Sequence, residues 1–332
     1  MQLTPTLSQK HTTAMENASQ YPTIVVPSDA RIGDEPMGSK AKFWWSDGTQ
    51  TPYLFKRSRP GTGEHWSEKV ASELGRLLGV PCAHVDLATF EGEIGCVVRS
   101  FAKDGSSPLV HGNELLQELD HTYPVSRFRG VSTHAVSTVL ATLESAQVPD
   151  DTSVNNSLRC GADWFVGYLM LDAVVLNTDR HHENWAVLQR LDGGRQLAPS
   201  YDHASSLGRE LRDAARVARL AAKDPRNTVA SYVKRARSAL YTESSAAKPA
   251  HPTSAFACAA RLRPDAAAYW LERLNVLTAD RCAEILERVP PSAITEPARA
   301  FASAVIQEAL RFTSEWMRNR DERANDGSTI DR

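Results

Sequence analysis

The sequence predicts an α+β protein of two lobes, a small β-rich N-terminal lobe followed by a larger helical one. Three observations predict it. Up to about residue 100, short aromatic and apolar runs alternate with turn signals. Beyond that point, apolar residues recur at three- and four-residue spacing. Within this second part a 13-residue run, Trp164 to Leu176, is almost wholly apolar and ends abruptly in the polar segment 177–184.

The elements follow in order. Residues 1–22 are rich in Thr, Ser and Gln and are expected to be a disordered lead-in. Lys42–Trp45 and Gln50–Lys56 flank Ser46-Asp47-Gly48-Thr49, and Asp-Gly between two such runs signals a hairpin. Trp66, Val70, Leu74 and Leu77 mark a helix that Gly79 and Pro81 stop. His84–Leu87 and Ile94–Val98 read as two strands around Glu91-Gly92. Helices are expected at 112–119, 132–145 and 161–176. A further hairpin joins Trp185–Gln189 to Gln196–Ala198, and helices resume from about 207 and at 265–315. The lobes are expected to span 23–100 and 101–317, with a solvated tail at 318–332.

The chain has 332 residues, enough for a substantial core. Its 38 Lys and Arg against 40 Asp and Glu give a net charge of −2, so charge alone does not make it a polyanion binder, and direct nucleic-acid binding is not expected. Five cysteines (82, 96, 160, 258 and 282) are dispersed without paired spacing, against a disulfide framework or zinc knuckle and in keeping with a reducing compartment. The N-terminus lacks a basic start with an apolar stretch behind it. The longest apolar run is too short to span a bilayer and contains Asp172. A soluble, cytoplasmic protein without membrane association is expected.

The chemistry concentrates after that apolar run. Asp179 can orient a hydroxyl and accept its proton. Asn184, five residues on, offers a neutral oxygen suited to magnesium at about 2.1 Å. Asp202, beyond the hairpin, can bind the same metal between nucleotide phosphates. Polar loops use Asn and Asp as turn formers, but here the set follows a buried helix and precedes an apolar strand. This is the layout of a kinase catalytic loop, and the two lobes fit the kinase plan. Lys56 ends the strand Tyr53-Leu54-Phe55-Lys56 and can pair with the α- and β-phosphates. The next helix offers Glu64 and Glu68 on one face to hold it, and Glu68 lies within the helix.

Gly33 to Lys40 falls short of a P-loop, because Lys and Ser are in the wrong order and a strand follows instead of a helix. Gly38 and Ser39 can still form a loop covering phosphates. His181 and His182 are adjacent and point apart; one is expected near the γ-phosphate and the other in a structural role. Arg209, Arg212, Arg216, Arg219 and Lys223 would form a basic stripe on a helix. Nine basic and three acidic residues between 209 and 237 give that segment +6. It reads as a solvated face or as a docking surface for an acidic or tRNA-bound protein.

These residues resemble the HipA-like serine/threonine kinases, the toxin half of some bacterial toxin–antitoxin pairs. The resemblance runs from about Gly38 to Gly208. It rests on Gly38-Ser39-Lys40-Ala41-Lys42, Leu54-Phe55-Lys56, Trp66-Ser67-Glu68-Lys69 and Leu78-Gly79-Val80-Pro81. Arg99-Ser100-Phe101 looks like the hinge bordering adenine. Asn177-Thr178-Asp179-Arg180-His181 with Asn184, and Leu197-Ala198-Pro199 with Tyr201-Asp202, complete it.

The resemblance implies a two-lobed protein-kinase-like fold using ATP and Mg2+. Asp179 would be the base, with Asn184 and Asp202 as metal ligands. Lys56 would grip ATP, supported by Glu68. It implies a protein substrate, one related to translation among them, and an antitoxin partner. The usual N-terminal subdomain and the serine ahead of the loop glycine are not matched; Glu35 and Pro36 stand there. A small-molecule or lipid kinase of the same fold, and a non-catalytic nucleotide-binding regulator, are the alternatives.

Overall fold

The computed structural model describes residues 19–35, 41–49, 51–101, 108–149 and 156–325. The N-terminal lobe is a six-stranded sheet with one helix packed on it. Its strands are β1 (Thr23–Val25), β2 (Arg31–Asp34), β3 (Lys42–Trp45), β4 (Tyr53–Arg57), β5 (Val85–Phe90) and β6 (Glu93–Arg99). They lie in the order β1-β5-β6-β4-β3-β2. Among the described residues of this sheet the β1–β5 pairing is parallel and the others are antiparallel.

The pleat sorts side chains by parity. Phe55 and Val97, paired across β4 and β6, join Phe43, Trp45 and Ala88 in one cluster. Leu54 packs with Val85, Cys96 and Val98 in the cluster that also holds Phe101 and Tyr201. Lys56, two residues on, shares the face of Leu54 and is directed at the interlobe space.

Helix α1 (Glu64–Leu78) covers the Lys56 face. Gly79 ends it at φ 82°, donating to the Arg76 carbonyl, a left-handed position that suits glycine. At Gly75 the absence of a side chain has a packing reason. A Cβ there would sit 2.9 Å from Leu171 Cδ2 and 2.4 Å from Cys82 Sγ, so α1 could not approach the second lobe as closely.

The chain leaves the sheet at Arg99 and continues in β7 (Leu109–His111). This strand pairs with β8 (Ala186–Gln189), which pairs with β9 (Arg195–Leu197), all antiparallel. The helices of this lobe begin with α2 (Gly112–Leu119), α3 (Val136–Leu143) and α4 (Gly161–Val175). Every residue of α4 is buried. It is apolar all round, as a helix enclosed on every side must be. The small helices α5 (Asp213–Leu220) and α6 (Val229–Lys234) follow. Then come α7 (Pro252–Leu262), α8 (Pro264–Leu274), α9 (Ala279–Glu287) and the long α10 (Glu296–Asn325). Trp270, Phe256 and Phe301 pack with Phe165 and the rest of α4 in one core that also includes Leu74 and Leu78 of α1.

Three boundaries differ from the sequence expectations. The expected lead-in ends in packed structure: Tyr21 is 4 % exposed and its backbone N–H donates to Arg288 O. Its ring lies under the Lys69 and Arg288 cations, contacts that local composition does not signal. Helix α10 continues to Asn325, well into the expected tail. Residues 207–210 form turns, and the helix of that region begins only at Asp213. Among the described residues no helix is long and apolar enough to cross a membrane.

Candidate active site

A cavity of about 670 Å³ lies between the lobes, in the range of small-molecule sites. Its apolar end is formed by Leu54, Val98, Phe101 and Tyr201, with the last two rings 5.6 Å apart. Its polar end holds Lys56, Asp179, His181, Asn184 and Asp202. Arg99 and Ser100 line the same cavity, and Ser100 N–H donates to Pro52 O. Glu68 stands behind Lys56. Gly38 and Ser39 lie outside the described residues.

Lys56 is 8 % exposed. Its Nζ lies 3.1 Å from Asp202 Oδ1 and 3.6 Å from Glu68 Oε1. Burial works against its charge, but the two carboxylates outweigh it and hold the pKa above the ordinary lysine value. Of the two acids that α1 offers, Glu64 is taken by Arg59 and Arg209. Glu68 Oε1 also accepts the His203 backbone N–H at 3.1 Å. Its other oxygen is buried without a hydrogen-bond partner among the described residues. The neighbouring elements β4 and α1 therefore meet the distant Asp202 at one ammonium group.

The loop 177–184 is held from beneath by a buried ion pair. Arg180 is fully buried and donates to both oxygens of Asp172, at 2.8 and 2.7 Å. It also donates to Asn184 O, to Tyr201 O and to Ser200 Oγ. Asp172 further accepts from Asn177 Nδ2 at 2.9 Å. One guanidinium thus fixes the last turns of α4, the loop and the Asp202 segment together. Sequence reasoning passed over this role, though a signal was present. An Asp inside an apolar helix is a buried charge that requires a cation, and Arg180 stands eight residues on.

Within the loop, Asn184 Nδ2 donates to the Asp179 carbonyl at 2.6 Å, which leaves the amide oxygen as the atom able to bind a cation. Asp179 Oδ1 accepts from Arg129 Nη2 at 2.6 Å, and Ser205 Oγ lies 3.5 Å from Oδ2. His181 Nδ1 accepts the Glu183 N–H at 3.2 Å, so the neutral ring carries its hydrogen on Nε2. Burial lowers its pKa despite the nearby Asp179 and Asp202. His181 lines the cavity, whereas His182 is 1 % exposed and bonds Tyr123 OH at 2.8 Å. Burial and the neighbouring His181 lower the His182 pKa to about 4.

Backbone strain marks the same region. Leu176, Asp202 and Leu207 have φ of 56°, 58° and 57°, in the left-handed region that side chains with a Cβ disfavour. All three flank or belong to the two segments that carry the polar end. Those segments are stitched together by Thr178 N–H to Ser205 O and Leu207 N–H to Val175 O.

Among the described residues no group of three His, Cys, Asp or Glu could hold a metal alone. The Asn184 amide oxygen and the Asp202 carboxylate are hard oxygen donors on one cavity wall. That set fits magnesium, which takes one or two protein ligands and completes its shell with phosphate and water.

The predicted basic stripe does not form. Arg212 precedes α5, and Arg216 is buried, donating to Asp213 and to the Gly208 carbonyl. Val217 and Leu220 are exposed instead, at 50 % and 40 %. Arg209 turns back to line the cavity. A short helix docked against α10 has its long cations drawn inward, which periodicity alone could not show.

A family model described as the HipA-like C-terminal domain matches residues 35–270. The chain belongs to this family. Among solved structures, the HipA-like chain resembles the Helicobacter pylori proinflammatory kinase CtkA with a TM-score of 0.65 at 18 % identity, over 89 % of this chain and 98 % of that one. The likeness shows a shared two-lobed kinase-like fold. HipA of Shewanella oneidensis MR-1, solved with HipB and its operator DNA, aligns at a TM-score of 0.46 and 13 % identity, over 95 % of this chain and 72 % of that one. No curated protein matches.

Proposed function

We propose that this HipA-like protein is a kinase that moves the γ-phosphate of ATP to a Ser or Thr hydroxyl of a protein, with Mg2+. The observation that carries the reading is the convergence of Lys56, Glu68 and Asp202 at 3.6 Å or less, beside Asp179 and Asn184 in one interlobe cavity. Leu54, Val98, Phe101 and Tyr201 would enclose the adenine ring, and Arg99-Ser100-Phe101 would border it. Lys56 would meet the α- and β-phosphates, oriented by Glu68. Asn184 and Asp202 would hold magnesium, which supplies charge neutralisation on the phosphates when bound.

Asp179 would accept the hydroxyl proton while the oxygen bonds to the γ-phosphorus. The bond from that phosphorus to the β–γ bridging oxygen breaks, and ADP leaves. His181, with its hydrogen on Nε2, is suited to donate to a phosphate oxygen. Positioning and charge would supply most of the rate. The acceptor must also take the place of Arg129 at Asp179.

The test is transfer from γ-labelled ATP into a cell lysate, read by autoradiography and mass spectrometry. Asp179→Ala should lower it by about 10²- to 10⁴-fold and Asp202→Ala should abolish it, both with the fold intact. Undiminished transfer by either variant would refute the assignment. An antitoxin partner, expected from the family, would be sought as a small protein co-purifying with the chain.

A further inference from the structure

Beside the interlobe cavity lies a second one of about 380 Å³, which shares Ser205 and Arg209 with it. Its floor includes Leu176 and Thr178, so it opens next to the loop that carries Asp179. Four guanidinium groups line it, from Arg209, Arg219, Arg235 and Arg237, against one carboxylate, Glu210. The lining therefore carries four positive charges less one negative, a formal +3.

The hydrogen bonds do not neutralise that charge. Glu210 accepts from Tyr232 OH at 2.8 Å. Arg237 donates to the Ala236 and Lys234 carbonyls, and Arg235 to the Arg226 carbonyl and Ser231 Oγ. Arg219 lies over the Tyr232 ring at 5.5 Å, and its Nη1 is buried without an acceptor among the described residues. A buried donor on a cation is costly when left unmade, and here it belongs to the wall of a polar cavity. Arg209 is set apart, because Glu64 at 3.1 Å already balances it.

We propose that this pocket binds an anionic side chain of the polypeptide acceptor, a carboxylate or phosphoryl group near the residue that receives phosphate. The inference rests on the kinase reading and deepens it by naming an acidic or already phosphorylated acceptor class. Arginine forks match carboxylate and phosphoryl oxygens alike. The chain of contacts from Asp179 through Ser205 to Arg209 links the pocket to the base, at 3.5 and 3.0 Å. An acceptor held in both places would present its hydroxyl to Asp179 and its anion to Arg219, Arg235 and Arg237.

The test uses the full chain with nonapeptides centred on Ser. One set carries Glu and another phosphoserine at each flanking position, and a third is neutral. Transfer kinetics and fluorescence-anisotropy binding are measured for wild type, Arg219→Gln, Arg237→Gln and Arg219→Lys. Anionic peptides should bind more tightly at one or two flanking positions. Arg219→Gln should raise their KM about tenfold with kcat unchanged, as expected for one charge-assisted hydrogen bond, while the neutral peptide is unaffected. Arg219→Lys should recover part of the loss, and Arg237→Gln covers the case in which Arg219→Gln fails to fold. The two anionic sets separate a carboxylate from a phosphoryl ligand.

Equal KM values for anionic and neutral peptides, or values unmoved by both Gln variants, overturn the proposal. Anion-dependent binding that is lost in Arg219→Gln, without any transfer by wild type, upholds the pocket and removes the kinase reading. An RNA oligonucleotide that binds through Arg219 where no peptide does overturns the polypeptide assignment.

Discussion

The two ends of the interlobe cavity are built on different principles. The interlobe cavity is apolar at Leu54, Val98, Phe101 and Tyr201, and Lys56, the cation where that lining gives way to polar residues, is answered by two acids at 3.1 and 3.6 Å. The end reached through Asp179, Ser205 and Arg209 adjoins a second cavity, in which Arg219, Arg235 and Arg237 make no ion pair among the described residues. A nucleotide of fixed shape is suited by the first kind of site, whose charges are balanced before it arrives. An acceptor selected for its charge is suited by the second.

The largest expected effect separates these ends directly. Asp202→Ala removes a partner of Lys56 and should weaken nucleotide binding, measured calorimetrically with ATP and Mg2+. Asp179→Ala should leave that binding within error of wild type and lower transfer by about 10²- to 10⁴-fold, the usual worth of a general base. Nucleotide affinity falling equally in both variants would show that the cavity does not divide as described.

The second effect concerns what the ends share. Arg180 and Asp172 form a fully buried pair that braces both the Asp179 loop and the Asp202 segment. Removing one member leaves the other charge uncompensated. Asp172→Ala should therefore cost about 3–5 kcal/mol by chemical denaturation. The double change Asp172→Leu with Arg180→Met should cost less than either single change, because no buried charge is orphaned. A double variant as unstable as the sum of the singles would place the stabilisation in hydrogen bonds to the loop instead.

How far the sequence reveals these features follows from range. Local chemistry is legible: Asp47-Gly48 turns the β3–β4 hairpin, Gly79 caps α1, and an apolar run sets α4. The spacing of Asp179, Asn184 and Asp202 is legible because the β8–β9 hairpin returns the chain to its starting point. Contacts across more than a hundred residues are not. Nothing near Tyr21 announces Arg288, and nothing near Arg216 announces that α5 docks with that side chain inward. Arg129, fifty residues before Asp179, stands in a loop with no periodic signal. The arginine pocket draws on residues 209 to 237, whose surplus charge is visible in the sequence but whose convergence depends on the turns between α5 and α6.

A third effect is a pH dependence of stability. Among the described residues seven histidines have lowered pKa values, with His182 at about 4 and His134 at about 3. Burial is the leading cause in each. The folded state keeps these rings neutral, while the unfolded chain binds protons below about pH 6.5. Stability is thus fully present above that value and falls as pH drops, by up to about 1.4 kcal/mol per pH unit for each such ring. Tm should decline between pH 6.5 and 5, before the carboxylates titrate. His182 bonds Tyr123 and packs against Phe128, which lines the interlobe cavity. His182→Gln should flatten the slope in that window, and an unchanged slope would assign it to histidines elsewhere.

The smallest effect is the most selective for the acceptor end. Arg129 is two-thirds exposed and pairs with Asp179 Oδ1 at 2.6 Å. Exposed pairs of this kind contribute about 0–1 kcal/mol, so Arg129→Ala should change Tm very little. Under the proposed kinase reading an acceptor hydroxyl would have to reach the same carboxylate, so the pair would compete with it. Without Arg129 the acceptor KM should fall, by no more than about fivefold given that energy, while the KM for ATP stays constant. A rise in acceptor KM would mean that Arg129 contacts the acceptor instead of competing with it. A change confined to the KM for ATP would mean that the two ends are coupled through Asp179, contrary to their separate construction.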